Sequence, residues 1–212
     1  MNLGIIINFE AKDRKTIKNI LTVKELYASL DYVDHSREKR LKMAQLLSSK
    51  PHLIEPLLEI AFDTINPVSS KAFWVLEFTT KNNLNYLFPY IDTFIDNLGK
   101  LKFESSIRPA AKICELLMIC YFSKKQHDCQ FILDERRLEK VTTACFDWLI
   151  GEHKVATKAY SMTSLMHLGK KFSWVHPELV LILEQNYASG SAAYKARARH
   201  TLEQLRKLNA AR

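Results

Sequence analysis

Four cysteines and seven histidines are the residues with which this chain of 212 could hold a metal or build a nucleophile. Cys114, Cys120, Cys129 and Cys145 lie close together in sequence. Zinc and haem sites usually draw their thiols from C-x2-C or C-x2-C-H, and neither spacing occurs. The stretch "QHDC" sets His127 two residues before Cys129. A metal or thiolate site there competes with a plainer reading, small apolar fillers in a reducing compartment, and the plainer one is favoured. Cys114 and Cys120 are six apart on a helical pattern and so point to different sides of it. His35, His52, His127, His153, His167, His176 and His200 include no pair at i, i+4 on one helix. No H-E-x-x-H, G-x-S-x-G or Gly-rich phosphate loop occurs. No cofactor, no metal and no catalytic residue is expected.

Aromatic and basic residues are the remaining candidates. Trp74 sits in "KAFWVLEF", Trp148 in "CFDWLI" and Trp174 in "FSWVHP". Each stands beside aliphatic residues at helical spacing, which favours core packing over ligand stacking. Trp174, just ahead of Pro177, is expected to be the most exposed. A net charge of +8 points mildly to an acidic partner.

These side chains must be positioned by helices. Five glycines and six prolines are too few for an all-β chain, which turns every eight to twelve residues. The phrase "VSSKAFWVLEF" returns as "VATKAYSMTSL", and "IRPAAKICELLMICYF" follows the same plan. The matching positions Val68, Ile107, Val155 and Ala192 are 39, 48 and 37 residues apart, near the period of paired-helix repeats. The longest interval holds an insertion around "SKKQHDCQFILDE". One domain spanning 1–212 is expected, with helix pairs over about 14–50, 51–83, 84–125, 134–173 and 175–208. Residues 1–13 belong to no unit. Between Ile107 and Tyr121 only the edge of Arg108, Lys112 and Glu115 reads as wet, so that helix needs cover on several sides. In the last helix Ala198, Leu202 and Leu205 make one narrow stripe, as a terminal unit requires.

The pattern resembles the HEAT family of α-solenoids: a proline-bearing first helix, an Asp near its end, and a second helix opening Val-Arg-x-x-Ala. Asp63 stands five before Val68, Asp31 precedes Arg37 by six, and Arg108 follows Ile107. Ser69 and Ala156 occupy the place of the Arg, so an Asp–Arg ladder between units would be incomplete. The resemblance implies an all-α, right-handed α-α superhelix of about five helix pairs, with second helices on the concave side. The presumed second helices with their flanks (36–50, 67–83, 104–125, 152–173, 191–212) hold 21 Lys and Arg against 6 Asp and Glu. The presumed first helices (16–31, 51–66, 84–98, 134–150, 175–190) hold 5 against 13. A basic groove presenting Lys71, Arg108, Lys112, Lys158, Lys195 and Arg199 is one reading, and cations neutralised along the seams are the other. The groove would bind an acidic protein segment first and a nucleic acid backbone second, as a scaffold without chemistry of its own.

HEAT-like glycosylases that release alkylated bases from DNA are similar in size and basic character. Their pocket, as the resemblance implies, pairs tryptophans with an Asp one helical turn after a Trp. Here Phe78, Glu152 and Glu178 stand four after Trp74, Trp148 and Trp174, and the two glutamates fall at helix junctions, so base excision is the second reading. Adenylosuccinate lyase activity is not expected, because the Ser-rich loop of those enzymes is absent and the chain is about half their length. The N-terminal apolar run is too short for a secretory signal and no segment is apolar enough for a membrane span, so a cytoplasmic protein with no membrane partner is expected.

Overall fold

The computed structural model describes residues 24–210; the segment 1–13 and the start of the first proposed unit lie outside them. Among the described residues the chain is all helical, with eleven α-helices and no strand. They are α1 (24–31), α2 (Arg37–Ser49), α3 (Ile54–Ala61), α4 (Val68–Asn82) and α5 (Ile91–Asp96), then α6 (Glu104–Tyr121), α7 (Cys129–Ile132) and α8 (Glu135–Ile150), and finally α9 (Val155–Leu168), α10 (Val175–Gln185) and α11 (Ala192–Ala210). None is long and apolar enough to cross a membrane.

Local chemistry explains where these helices begin. Ser36 caps α2 by accepting the Lys39 N–H at 3.3 Å, and Asp134 caps α8 by accepting that of Arg137 at 2.9 Å. Asp63 Oδ1 accepts from Ile65 and Asn66, and Asn66 Oδ1 accepts from Val68, folding the approach to α4. Prolines stand where an N–H has no helical partner: Pro56 and Pro177 in the first turns of α3 and α10, and Pro67 immediately before α4. Residues 84–98, expected as one helix, are broken instead. Two 3-10 turns, one carrying Pro89, precede the six residues of α5, because that proline removes a backbone donor where a longer helix would need one.

Packing follows chain order. Helix α4 rests on α2, α3 and α6, α9 on α6, α8, α10 and α11, and α5 on α8. One hydrophobic cluster runs from Leu26 to Leu205 through Phe73, Phe94, Leu117 and Leu165. Several buried polar groups between the packed helices are small and bonded within their own helix. Thr79, Thr142, Ser161 and Ser164 each donate to the carbonyl four residues earlier, at 2.8–3.1 Å. Gly169 is required where α9 ends, since a Cβ there would lie 1.9 Å from the ring of His176. That ring donates from Nε2 to the Met166 carbonyl at 2.9 Å.

The wet edge expected on α6 is only partly wet. Glu115 is buried, held by Lys112 on its own helix and by Arg197 of α11 at 3.8 Å. The narrow stripe of α11 lies in the core as expected, with Ala198, Leu202 and Leu205 all buried.

His167, near the end of α9, is stacked on Phe122, with the Lys170 ammonium 3.3 Å from its Nδ1. Burial, with Lys170 adding to it, holds its pKa down to about 4 from 6.5. The unfolded chain therefore binds a proton that the folded chain refuses between those values, so stability is complete above about pH 6.5 and falls as pH drops towards 4. Thermal melts at pH 6.5, 5.5 and 4.5 should show this decline, and His167→Gln should flatten it; an unchanged slope in the variant would place the pH dependence elsewhere.

Candidate functional site

Pro109 lies inside α6 and has no N–H, so the carbonyl of Ser105 four residues earlier lacks its helical donor. The indole of Trp74 on α4 supplies one, Nε1 donating to Ser105 O at 2.9 Å. Ser70, one turn before Trp74, meets the hydroxyls of Ser105 and Ser106 at 2.6 and 3.1 Å. The start of α6 is thereby fastened to α4, and the tryptophan is held half-buried beside it.

Around Trp74 the chain assembles a basic and aromatic hollow of about 680 Å³. Trp74, Phe78 and Phe103 give it aromatic surface, while Arg40, Lys81, Lys102, Arg108 and Lys154 bring cations from α2, α4, α6 and the connections before α6 and α9. The Arg40 guanidinium lies 5.8 Å from the Trp74 ring and 5.3 Å from that of Phe78, and also donates to the carbonyls of Ser36 and His35. His35 stacks obliquely on Trp74 at 4.9 Å, and the Lys81 ammonium sits 5.8 Å from the Phe78 ring.

Two carboxylates share the hollow, and both are occupied. Glu77, only 6% exposed, accepts from Arg108 at 2.7 Å. Glu104 accepts from Lys154 N and Thr157 Oγ1, both at 3.0 Å, and bonds His153 Nδ1 at 2.7 Å, which caps the start of α9. Arg40, Lys81, Lys102 and Lys154 make no ion pair among the described residues, so the hollow keeps a positive excess.

The six cations singled out in the sequence divide evenly. Lys71 reaches Asp31 at 3.9 Å, Arg108 binds Glu77 and Lys112 binds Glu115. Lys158, Lys195 and Arg199 make no ion pair among the described residues; Lys158 stands 6.0 Å from the Tyr194 ring, and Arg199 lines a different cleft with Arg206. Only Arg108 of the six reaches the hollow. Arg40, Lys81, Lys102 and Lys154 carry no sequence mark beyond their sign, because they come from helix ends and connections rather than from the repeat's key positions. On α5, Asp92 binds Arg136 and Arg137, and Asp96 binds Lys140. Hydrogen bonding from Arg137 lowers the Asp92 pKa. Asp63 caps a loop instead.

Trp174 is 56% exposed, as expected, and stacks on Phe146 at 5.5 Å. The hollow it shares with Glu178 contains no basic residue. Trp148 belongs to the core, and Glu152 lies in the turn between α8 and α9. Beyond the end of α6 the insertion folds back and brings ligand atoms of Cys120, His127 and Cys129 within 4.8 Å of one another. Cys114 and Cys145 form a separate pair, where burial and their mutual hydrogen bond push the Cys114 thiol well above its ordinary value.

No family model matches the chain, and neither a curated protein nor a solved structure is significantly similar to it.

The Glu77–Arg108 pair joins α4 to α6 under the hollow. Arg108→Ala strands a buried carboxylate and should destabilise the protein by about 2 kcal/mol in urea denaturation, whereas Glu77→Leu with Arg108→Met should cost much less. Wild-type stability in the Arg108→Ala protein would remove the pair from any structural role.

Proposed function

We propose that the protein is a non-enzymatic binding module, built as a HEAT-like right-handed superhelix of about five helix pairs, whose hollow between α2, α4 and α6 binds a single-stranded nucleic acid backbone. The nearest-neighbour packing of α2, α4, α6, α9 and α11 supports the stacked-pair architecture, since each repeat in such an array touches only its neighbours. The carrying observation is the interleaving of unpaired cations with half-buried aromatic rings in one open cavity. Carboxylate side chains of an acidic protein segment need only the cations. A nucleic acid uses both, its phosphates on Arg40, Lys81, Lys102 and Lys154 and a base against Trp74 or Phe78. Reach also favours a polymer, because these cations come from four separate parts of the chain around one opening.

Anisotropy of a labelled mixed-sequence single strand, measured across salt concentration, tests this reading. Lys81→Gln, Lys102→Gln and Lys154→Gln together should weaken binding and lower the salt slope by about 2, since each phosphate contact on a single strand contributes roughly 0.7. Unchanged binding in the triple variant would remove the hollow from recognition. Preference for an acidic peptide over the oligonucleotide would instead support the protein-partner reading.

A second reading rests on Glu77. The glycosylase-like pattern has a carboxylate one helical turn after a tryptophan; Glu77 follows Trp74 by three residues and lines the same hollow. A carboxylate there could stabilise positive charge on the sugar as the bond to a cationic alkylated base breaks. Arg108 already neutralises it at 2.7 Å, which is why binding comes first. Release of alkylated bases from methylated DNA, abolished by Glu77→Gln, would establish this activity, and no release by the wild-type protein would exclude it.

A further inference from the structure

The insertion after α6 carries an arrangement that the binding reading does not use. Cys120 lies in the last turn of α6, half-buried; the chain then reverses, with Ser123 N–H donating to the Cys120 carbonyl at 3.2 Å. Gln130 of α7 fixes the return. Its side-chain amide donates to the carbonyls of Tyr121 and Ser123 at 3.1 and 3.0 Å, and its oxygen accepts the His127 N–H at 3.4 Å. The ring of His127 meets Phe88 edge-on at 6.1 Å, which limits its swing. The outcome is that two thiols and one imidazole, nine residues apart from first to last, have their ligand atoms within 4.8 Å.

We propose that Cys120, His127 and Cys129 form a zinc site. Two sulfur donors and an imidazole are a ligand set that borderline-soft zinc accepts, and a three-ligand Cys2His site leaves the fourth tetrahedral position to water. Zinc bonds of about 2.3 Å to sulfur and about 2.0 Å to nitrogen set ligand-to-ligand edges of roughly 3.5–3.8 Å. The widest separation consistent with the structure must therefore close by only about 1 Å. The contact that orients the imidazole within the cluster, from the Cys129 N–H to His127 Nδ1, is a long one of 3.3 Å and resists that closure little. Cys120 and His127 are half-buried rather than enclosed, which gives an ion a path to the buried Cys129. Binding converts two thiols to thiolates; their two protons pass to solvent, no electron is transferred, and affinity rises with pH. The ion would tie the insertion to the end of α6.

The test uses the full chain, reduced and stripped by a chelator. Zinc is titrated in competition with a chromophoric chelator, and cobalt(II) serves as a spectroscopic substitute. The expected result is one zinc per chain, release of two protons, thiolate-to-cobalt charge-transfer bands, and a melting temperature that rises with zinc and falls again with chelator. Cys120→Ser, His127→Ala and Cys129→Ser should each weaken zinc by more than the roughly ten- to hundredfold lost with an outer-sphere partner. Cys145→Ala, in the core away from the cluster, should leave binding unchanged. The wild-type cobalt spectrum keeps the test decisive if a ligand variant fails to fold. Absence of stoichiometric zinc, cobalt bands without thiolate character, or full affinity after either cysteine change would overturn the site. So would a Cys120–Cys129 disulfide formed in air by a chain that takes up no zinc when reduced.

Discussion

A single missing donor organises the centre of this molecule. Pro109 interrupts the hydrogen-bond ladder of α6, the Ser105 carbonyl is left to find a partner outside the helix, and the indole of Trp74 fills the vacancy. A buried or half-buried carbonyl without a donor costs on the order of 1–3 kcal/mol, so the two helices are fixed in register by a need that neither can satisfy alone. The same contact holds an aromatic ring at the surface where a core tryptophan would have withdrawn. Arg40, His35, Phe78 and the Glu77–Arg108 pair are all disposed around that ring.

The basic layer then divides by what each cation meets. Some are consumed by the fold: Lys71 on Asp31, Arg108 on Glu77, Lys112 on Glu115, and on the other set of helices Arg137 on Asp92 and Lys140 on Asp96. Others lie near aromatic faces, Lys158 by Tyr194 and Lys170 by Phe122, where exposed contacts contribute about 0.5–1 kcal/mol each. Cations tied along the seams and cations left without an ion pair thus occur side by side, and a positive excess remains where Arg40, Lys81, Lys102 and Lys154 converge without carboxylates of their own among the described residues.

Much of the helical order was legible in the chain. Apolar residues recur at helical spacing, prolines mark the first turns of α3 and α10, and Val68, Val155 and Ala192 each open a helix. The buried stripe of α11 could be read residue by residue. Residues 84–98 match the proline-bearing first helix of the repeat pattern, yet Pro89 falls in a 3-10 turn and the α-helix begins only after it. The error at Glu115 came from judging a side chain by its own helix; Arg197 arrives from α11 and lets the carboxylate be buried.

What the sequence by itself determined is therefore the helical character of the chain, most of its helix starts, and an unequal division of charge between alternate helices. These depend on residues close together along the chain, within the reach of helical periodicity and capping. Tertiary structure alone decided which cations are paired and which face an open hollow, that Glu77 rather than a residue four beyond Trp74 is the carboxylate there, and that Cys120 meets His127 and Cys129. Coulombic pairing, aromatic contact and metal-ligand geometry depend on distances of a few ångströms between residues up to dozens of positions apart. Those distances are fixed only when the helices pack and the loops between them close.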